Sequence, residues 1–192
     1  MDQNLLVVGI ASSAGGLRPT RELITNAICH ENMTFILVPH LLRDFETMLP
    51  EILRPISKLR IREIEDGMAL EKCHLYILPN GYYARVENKT FKLDQRPPKD
   101  VNIAANTLFK SLAKEFGKNA IGVVLSGAAV GSDGSEGVLK IKENNGHTYA
   151  QDPVEAEFPD MPKAAIKTGA IDSVLKASQI GHELTLVSWA SD

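Results

Sequence analysis

Three short apolar runs constrain this chain more than anything else in it: residues 5–9 (LLVVG), 34–38 (TFILV) and 120–125 (AIGVVL). None alternates apolar with polar residues, so each suits a strand buried on both faces, the pattern of a parallel sheet covered by helices. Each is followed by small or turn-forming residues and then by a stretch of helical periodicity. Such stretches run over 17–29, 45–53, 103–116, 136–144, 162–168 and 178–184. Residues 59–64 (LRIREI) alternate apolar and charged, as an edge strand with one wet face does, and 74–78, 147–150 and 171–175 read as further strands. Residues 83–86 and 90–93, joined by Glu87-Asn88-Lys89, predict an antiparallel hairpin. The expected fold is α/β: a doubly wound, mostly parallel sheet with helices on both faces and one antiparallel hairpin. The nearest thing to a linker, residues 95–100 (QRPPKD), is too short to divide two domains, so residues 1–192 are read as one.

Charge and cysteine usage narrow the function class. The net charge is −3, and the basic residues do not gather into one patch, so nucleic acid is not an expected partner. The longest apolar stretches fall well short of the roughly 20 residues of a membrane span, and the acidic start, MDQNLLVVGIASS, lacks the features of a signal peptide. A cytoplasmic protein without membrane insertion is expected. Cys29 and Cys73 have no metal-ligand spacing and are expected as reduced thiols.

In a parallel α/β sheet the chemistry gathers beyond the carboxyl ends of the strands, which directs attention to three loops. The first, Gly9 to Gly16 (GIASSAGG), leads from a strand into a helix. Backbone N–H groups converge at such a turn and suit an anion or an oxyanion. Ala11 stands where a dinucleotide fingerprint needs its second glycine, and no Gly-Lys-Ser/Thr follows, so nucleotide binding is disfavoured. Ser12 and Ser13 are candidate nucleophiles; from this loop alone, helix capping is the stronger reading of either. The second loop opens with His40. The third, Ser126 to Ser135, presents Asp133 among small residues, where a turn or capping role is the plain alternative. Taken together they put Ser, His and Asp after three buried strands on one rim, the set a serine hydrolase uses.

The segments VVGIASSAGGL, FILVPHL, MLPEIL, REIEDGMALEKCHLYILPNG, LFKSLA, IGVVLSG, GSDGSEGVLKIKENNG and AQDPVEAEFPDMPKAAIKTGAIDSVL resemble the protein-glutamate methylesterases of bacterial chemotaxis (CheB type). The likeness is strongest to the version without a receiver domain, fused to a methyltransferase or kinase module. It implies Ser13 as nucleophile, His40 as base and Asp133 as triad acid, with no metal or cofactor. The implied substrate is the γ-methyl ester of glutamate on a chemoreceptor. Three departures accompany it. Ser12 replaces a small apolar residue, Pro39 replaces a Gln, and the loop from Gly127 to Asp133 is two residues longer and lacks a Met. If the long loop still delivers Asp133 to His40, an active ester hydrolase is expected; if not, the rival is a non-catalytic module that binds a receptor or a fused signalling partner. Asp66 and Asp152 are expected to hold turns, His30, His74, His147 and His182 to be surface or strand residues, and Met161 to line the site or simply pack.

Overall fold

The computed structural model describes residues 5–28, 32–40, 47–97, 101–128 and 133–189, with the side chains of 187–189 excepted. Nine strands are described: β1 (Leu6–Ser12), β2 (Met33–Pro39), β3 (Arg60–Glu63), β4 (His74–Ile77), β5 (Tyr82–Glu87), β6 (Thr90–Gln95), β7 (Ala120–Val124), β8 (His147–Gln151) and β9 (Ser173–Leu175). The helices are α1 (Leu17–Asn26), α2 (Leu49–Leu53), α3 (Ala104–Phe116), α4 (Ser135–Glu143), α5 (Asp160–Lys167) and α6 (Ala177–Trp189). Seven strands form one sheet in the order β3-β4-β2-β1-β7-β8-β9, and every pairing in it is parallel. The expected α/β fold is the one observed, with β3 at the edge where its alternating pattern placed it.

From β1 the chain passes to β2, then to the edge strand β3, fills the gap between them with β4, and later returns to lay β7 on the other side of β1. The winding direction reverses there, so the carboxyl ends of β1 and β7 flank a topological switch point, where loops diverge and leave a crevice. Period-two alternation along β1 divides the core. Leu6, Val8 and Ile10 join Leu23 and Ile24 of α1 and Ile180 and Leu184 of α6. Val7 and Ala11 join Leu108, Phe109 and Leu112 of α3, with Val138 and Ile141 of α4. Helix α3 lies close on the sheet because two glycines leave room for Phe109: a Cβ on Gly9 would come within 2.7 Å of its side chain, and one on Gly137 within 2.6 Å.

The hairpin β5–β6 forms a separate antiparallel pair that packs on α3, its Val86 N–H donating to Ser111 Oγ (3.0 Å). Asn88 and Lys89 both have positive φ (52° and 57°), the left-handed pair that a two-residue hairpin turn needs. Two expectations need correction. The helix expected over 45–53 begins at Leu49, with Thr47 and Met48 outside it. Pro50 has no N–H to extend a helix from upstream and fits only in a first turn; residues 45–46 lie outside the described residues. Cys73 is disulfide-bonded, not a reduced thiol. Sequence spacing excluded a metal site but said nothing about which segments the β2–β4 pairing brings together. Cys29 lies outside the described residues.

Candidate active site

The end of β1 is held from both sides. Ser12 is in register with Pro39 of β2, and its carbonyl accepts the His40 N–H at 2.7 Å. On the other side Leu125 N–H donates to Ala11 O and Ser13 N–H to Ser126 O, each at 2.9 Å. Adjacent parallel strands lie about 4.8 Å apart, so the residues that follow β1, β2 and β7 emerge together. Ser12 is buried and Ser13 half-buried at the turn. That turn closes with Gly16 N–H on Ser13 O (2.9 Å). Gly15, at φ 66°, packs so tightly that a Cβ would lie 2.8 Å from Glu157 Cβ and 2.9 Å from both the Phe158 ring and Ser126 Oγ. The Ala14 and Gly15 N–H groups take no hydrogen-bond partner among the described residues.

Asp133 is delivered to His40, with its Oδ2 2.5 Å from His40 Nε2. Only 1% of the Asp133 side chain and 10% of the His40 side chain reach solvent. The buried carboxylate is fully engaged: Oδ2 also accepts Ala105 N–H (2.8 Å), while Oδ1 accepts Asn106 N–H (2.7 Å) and Gly134 N–H (2.9 Å). Ala105 and Asn106 belong to the first turn of α3, whose N–H groups have no partner within the helix. Asp133 therefore caps α3 from outside, at the end whose dipole favours a negative charge. A carboxylate only accepts, so the network assigns the Nε2 proton to His40 and leaves Nδ1 with the free lone pair. The nitrogens are thus exchanged relative to the familiar triad, in which Nδ1 faces the acid.

Around these groups lies a layer of which the sequence reading singled out Met161 alone. Ser126 Oγ, fully buried, donates to Ala14 O (2.9 Å) and accepts Phe158 N–H (3.0 Å), tying the Ser13 turn to the segment before α5. Ser126 N–H is held by Gln151 Oε1 at 2.8 Å, and Gln151 Nε2 by Glu155 Oε2 at 3.0 Å. Gly127 N–H donates to Phe158 O (2.9 Å), and Met161 N–H to Gly127 O (3.0 Å). Met161 is buried: a Cβ on Gly127 would lie 2.1 Å from Met161 Sδ and 2.8 Å from Ser13 Cβ, so the thioether packs beside the serine. Met161, expected to line the site or simply pack, does pack there; for Ser126 the only advance signal was its place ahead of a glycine, which specifies no role.

The remaining expectations fall on structural duties. Asp152 accepts Val154 N–H two residues on at 2.9 Å, as a turn-holding carboxylate does, whereas Asp66 accepts Leu93 N–H of β6 at 2.9 Å and ties its loop to that strand. His74 lies buried in β4 with Nδ1 2.7 Å from Lys72 O, and its ring stacks on Tyr76. His30 and the loop residues 129–132 lie outside the described residues. Among the described residues there is no cluster of three potential metal ligands, and no helix is long and apolar enough to cross a membrane.

Comparisons with known proteins agree with this fold. The family model described as CheB methylesterase matches residues 8–184. A protein-glutamate methylesterase/protein-glutamine glutaminase of Syntrophomonas wolfei is 32% identical over 190 residues, covering 94% of this chain and 53% of that protein. A counterpart in Pyrococcus horikoshii is 31% identical over 180 residues, covering 91% of this chain and 48% of its own. The chain thus spans about half the length of these curated relatives. A putative enzyme of the same name in Leptospira interrogans, 30% identical, is covered over 93% of its length. The crystal structure of the Thermotoga maritima CheB methylesterase catalytic domain superposes with a TM-score of 0.85 at 26% identity, over 95% of this chain and 98% of that one. Since the family match runs from within β1 into α6, and so takes in the Ser13 turn, His40 and Asp133, the chain belongs to the CheB methylesterase family.

Proposed function

We propose that this chain is a single catalytic domain that hydrolyses glutamate γ-methyl esters on chemoreceptors, in chemotaxis-type signalling in the cytoplasm. The observation that carries the reading is the buried Asp133–His40 pair, which engages one imidazole nitrogen and leaves the other to act as base, on a residue whose backbone N–H is bonded to Ser12 O, just before Ser13. Ser13 Oγ attacks the ester carbonyl while His40 takes its proton at Nδ1. The carbonyl oxygen becomes an oxyanion, for which the Ala14 and Gly15 N–H groups are the available donors. The C–O bond to methoxide breaks, His40 returns the proton, and methanol leaves. Water then repeats the sequence on the acyl-serine and frees glutamate and Ser13. Asp133 holds the ring and compensates its transient charge. Ammonia in place of methanol would give the glutaminase reaction that the relatives' names also carry. A fused methyltransferase or kinase module as partner rests on the sequence likeness alone, and the intact mass of the protein isolated from its own cells tests it.

The test of the activity is methanol release from methylated receptor membranes. It should vanish in Ser13→Ala and persist in Ser12→Ala, because Ser12 is buried as the last residue of β1. The reverse pattern removes the assignment. Absence of turnover in the parent, with retained receptor binding, leaves a binding module instead.

A further inference from the structure

We propose that Asn106 is a positioning residue for Asp133, an inference that rests on the triad reading above. Asn106 is in the first turn of α3, with only 5% of its surface exposed. Its Oδ1 accepts two N–H groups from the start of α4, Gly134 at 3.0 Å and Gly137 at 2.8 Å. Asp133, one residue before that helix's cap Gly134, accepts the Asn106 N–H in return at 2.7 Å. Two helices thus cap each other crosswise: the Asp133 carboxylate closes α3, and the Asn106 amide closes α4. The arrangement makes the orientation of Asp133 depend on Asn106 at a second point. Gly134 has φ 95°, a conformation that glycine adopts freely and does not by itself enforce. Its N–H is shared between Asn106 Oδ1 and Asp133 Oδ1. Without Asn106 the Gly134 turn loses the acceptor that fixes its direction, and two buried N–H groups lose a partner. Asp133 keeps its Ala105, Asn106 and Gly134 N–H donors, but the turn that carries it is then anchored to α3 at one point and not two, so the carboxylate can shift relative to His40 Nε2.

The experiment compares Asn106→Ala, Asn106→Ser and Asn106→Asp with Asp133→Asn and the Asn106→Ala/Asp133→Asn double variant. Methanol release is measured well below each thermal transition. Asn106→Ala and Asn106→Ser should lower kcat roughly 10²-fold with KM unchanged, the scale of a misplaced catalytic group. Asn106→Asp keeps an acceptor oxygen but sets a second buried carboxylate against Asp133 at the shared Gly134 N–H, so it should stay as slow as Asn106→Ala. In the Asp133→Asn background Asn106→Ala should add no further loss, because the two act as one unit. Multiplicative losses in the double variant, or a rise in KM with kcat intact, would overturn the proposal. If Asn106→Ala does not fold, Asn106→Ser carries the comparison. A second readout needs no turnover. The strongly hydrogen-bonded His40 Nε2 proton should resonate far downfield in the parent and move upfield in Asn106→Ser. A resonance unchanged by that substitution refutes the positioning role even if the parent proves not to be an esterase.

Discussion

Gly127→Ala tests how tightly the nucleophile is packed. Gly127 has no left-handed φ, so alanine is acceptable to the backbone and the effect is steric alone. The new methyl would sit 2.1 Å from Met161 Sδ and 2.8 Å from Ser13 Cβ, against an ordinary carbon contact of about 3.5–4.0 Å. The sulfur lies on a flexible side chain and can swing aside. Ser13 cannot yield as easily, because its N–H is bonded to Ser126 O and its carbonyl to Gly16 N–H. It must shift by about 0.7 Å to restore contact distance, and a displacement near 1 Å costs up to about 10²-fold in rate. Gly127→Ala should therefore lose about 1–3 kcal/mol of stability, as overpacked cores do, and about 10-fold in kcat. Adding Met161→Ala should return part of the stability and little of the rate, since the clash with Ser13 remains. Urea unfolding reads the first quantity. Methanol release, together with labelling by a serine-directed fluorophosphonate, reads the second. Turnover within about twofold of the parent, with stability reduced, would show that Ser13 is not held as argued.

Two further outcomes follow from the core and from the charges. Phe109→Ala removes the ring that fills the space over Gly9 and Gly137 and should cost about 3–5 kcal/mol in urea unfolding, like other buried Phe→Ala changes. Partial burial pushes the Asp172 carboxyl up, but the Lys142 ammonium and the Thr148 N–H and O–H donors outweigh it and hold it below its ordinary value. Its contribution to stability is therefore complete above the unfolded value near ~3.9 and is lost as pH falls through the lower folded value. Asp172→Asn should flatten that acid limb in thermal melts from about pH 2 to 5, and an unchanged limb would assign the acid sensitivity elsewhere.

Much of the fold was legible because burial on both faces leaves a mark in sequence. The runs LLVVG, FILV and AIGVVL have no wet side, so they had to be interior parallel strands, while LRIREI has one and proved to be the edge. The turn residues after β1, β2 and β7 likewise marked Ser13, His40 and Asp133 by chemistry and position. A helical period could not show that Pro50 delays α2, because a proline reads alike as a first-turn residue and as a breaker. Tertiary structure alone decided that Asp133 reaches His40 despite the longer loop, and that it does so through Nε2. It also decided that Asn106, Ser126 and Gln151 surround the site, and that Met161, which was expected to line the site or pack, sits against Ser13. Their roles depend on hydrogen bonds and contacts between segments 25 or more residues apart, which no local pattern encodes. Local propensity chooses strands and helices, but the direction in which a buried carboxylate points is set by the donors that the packing brings to it.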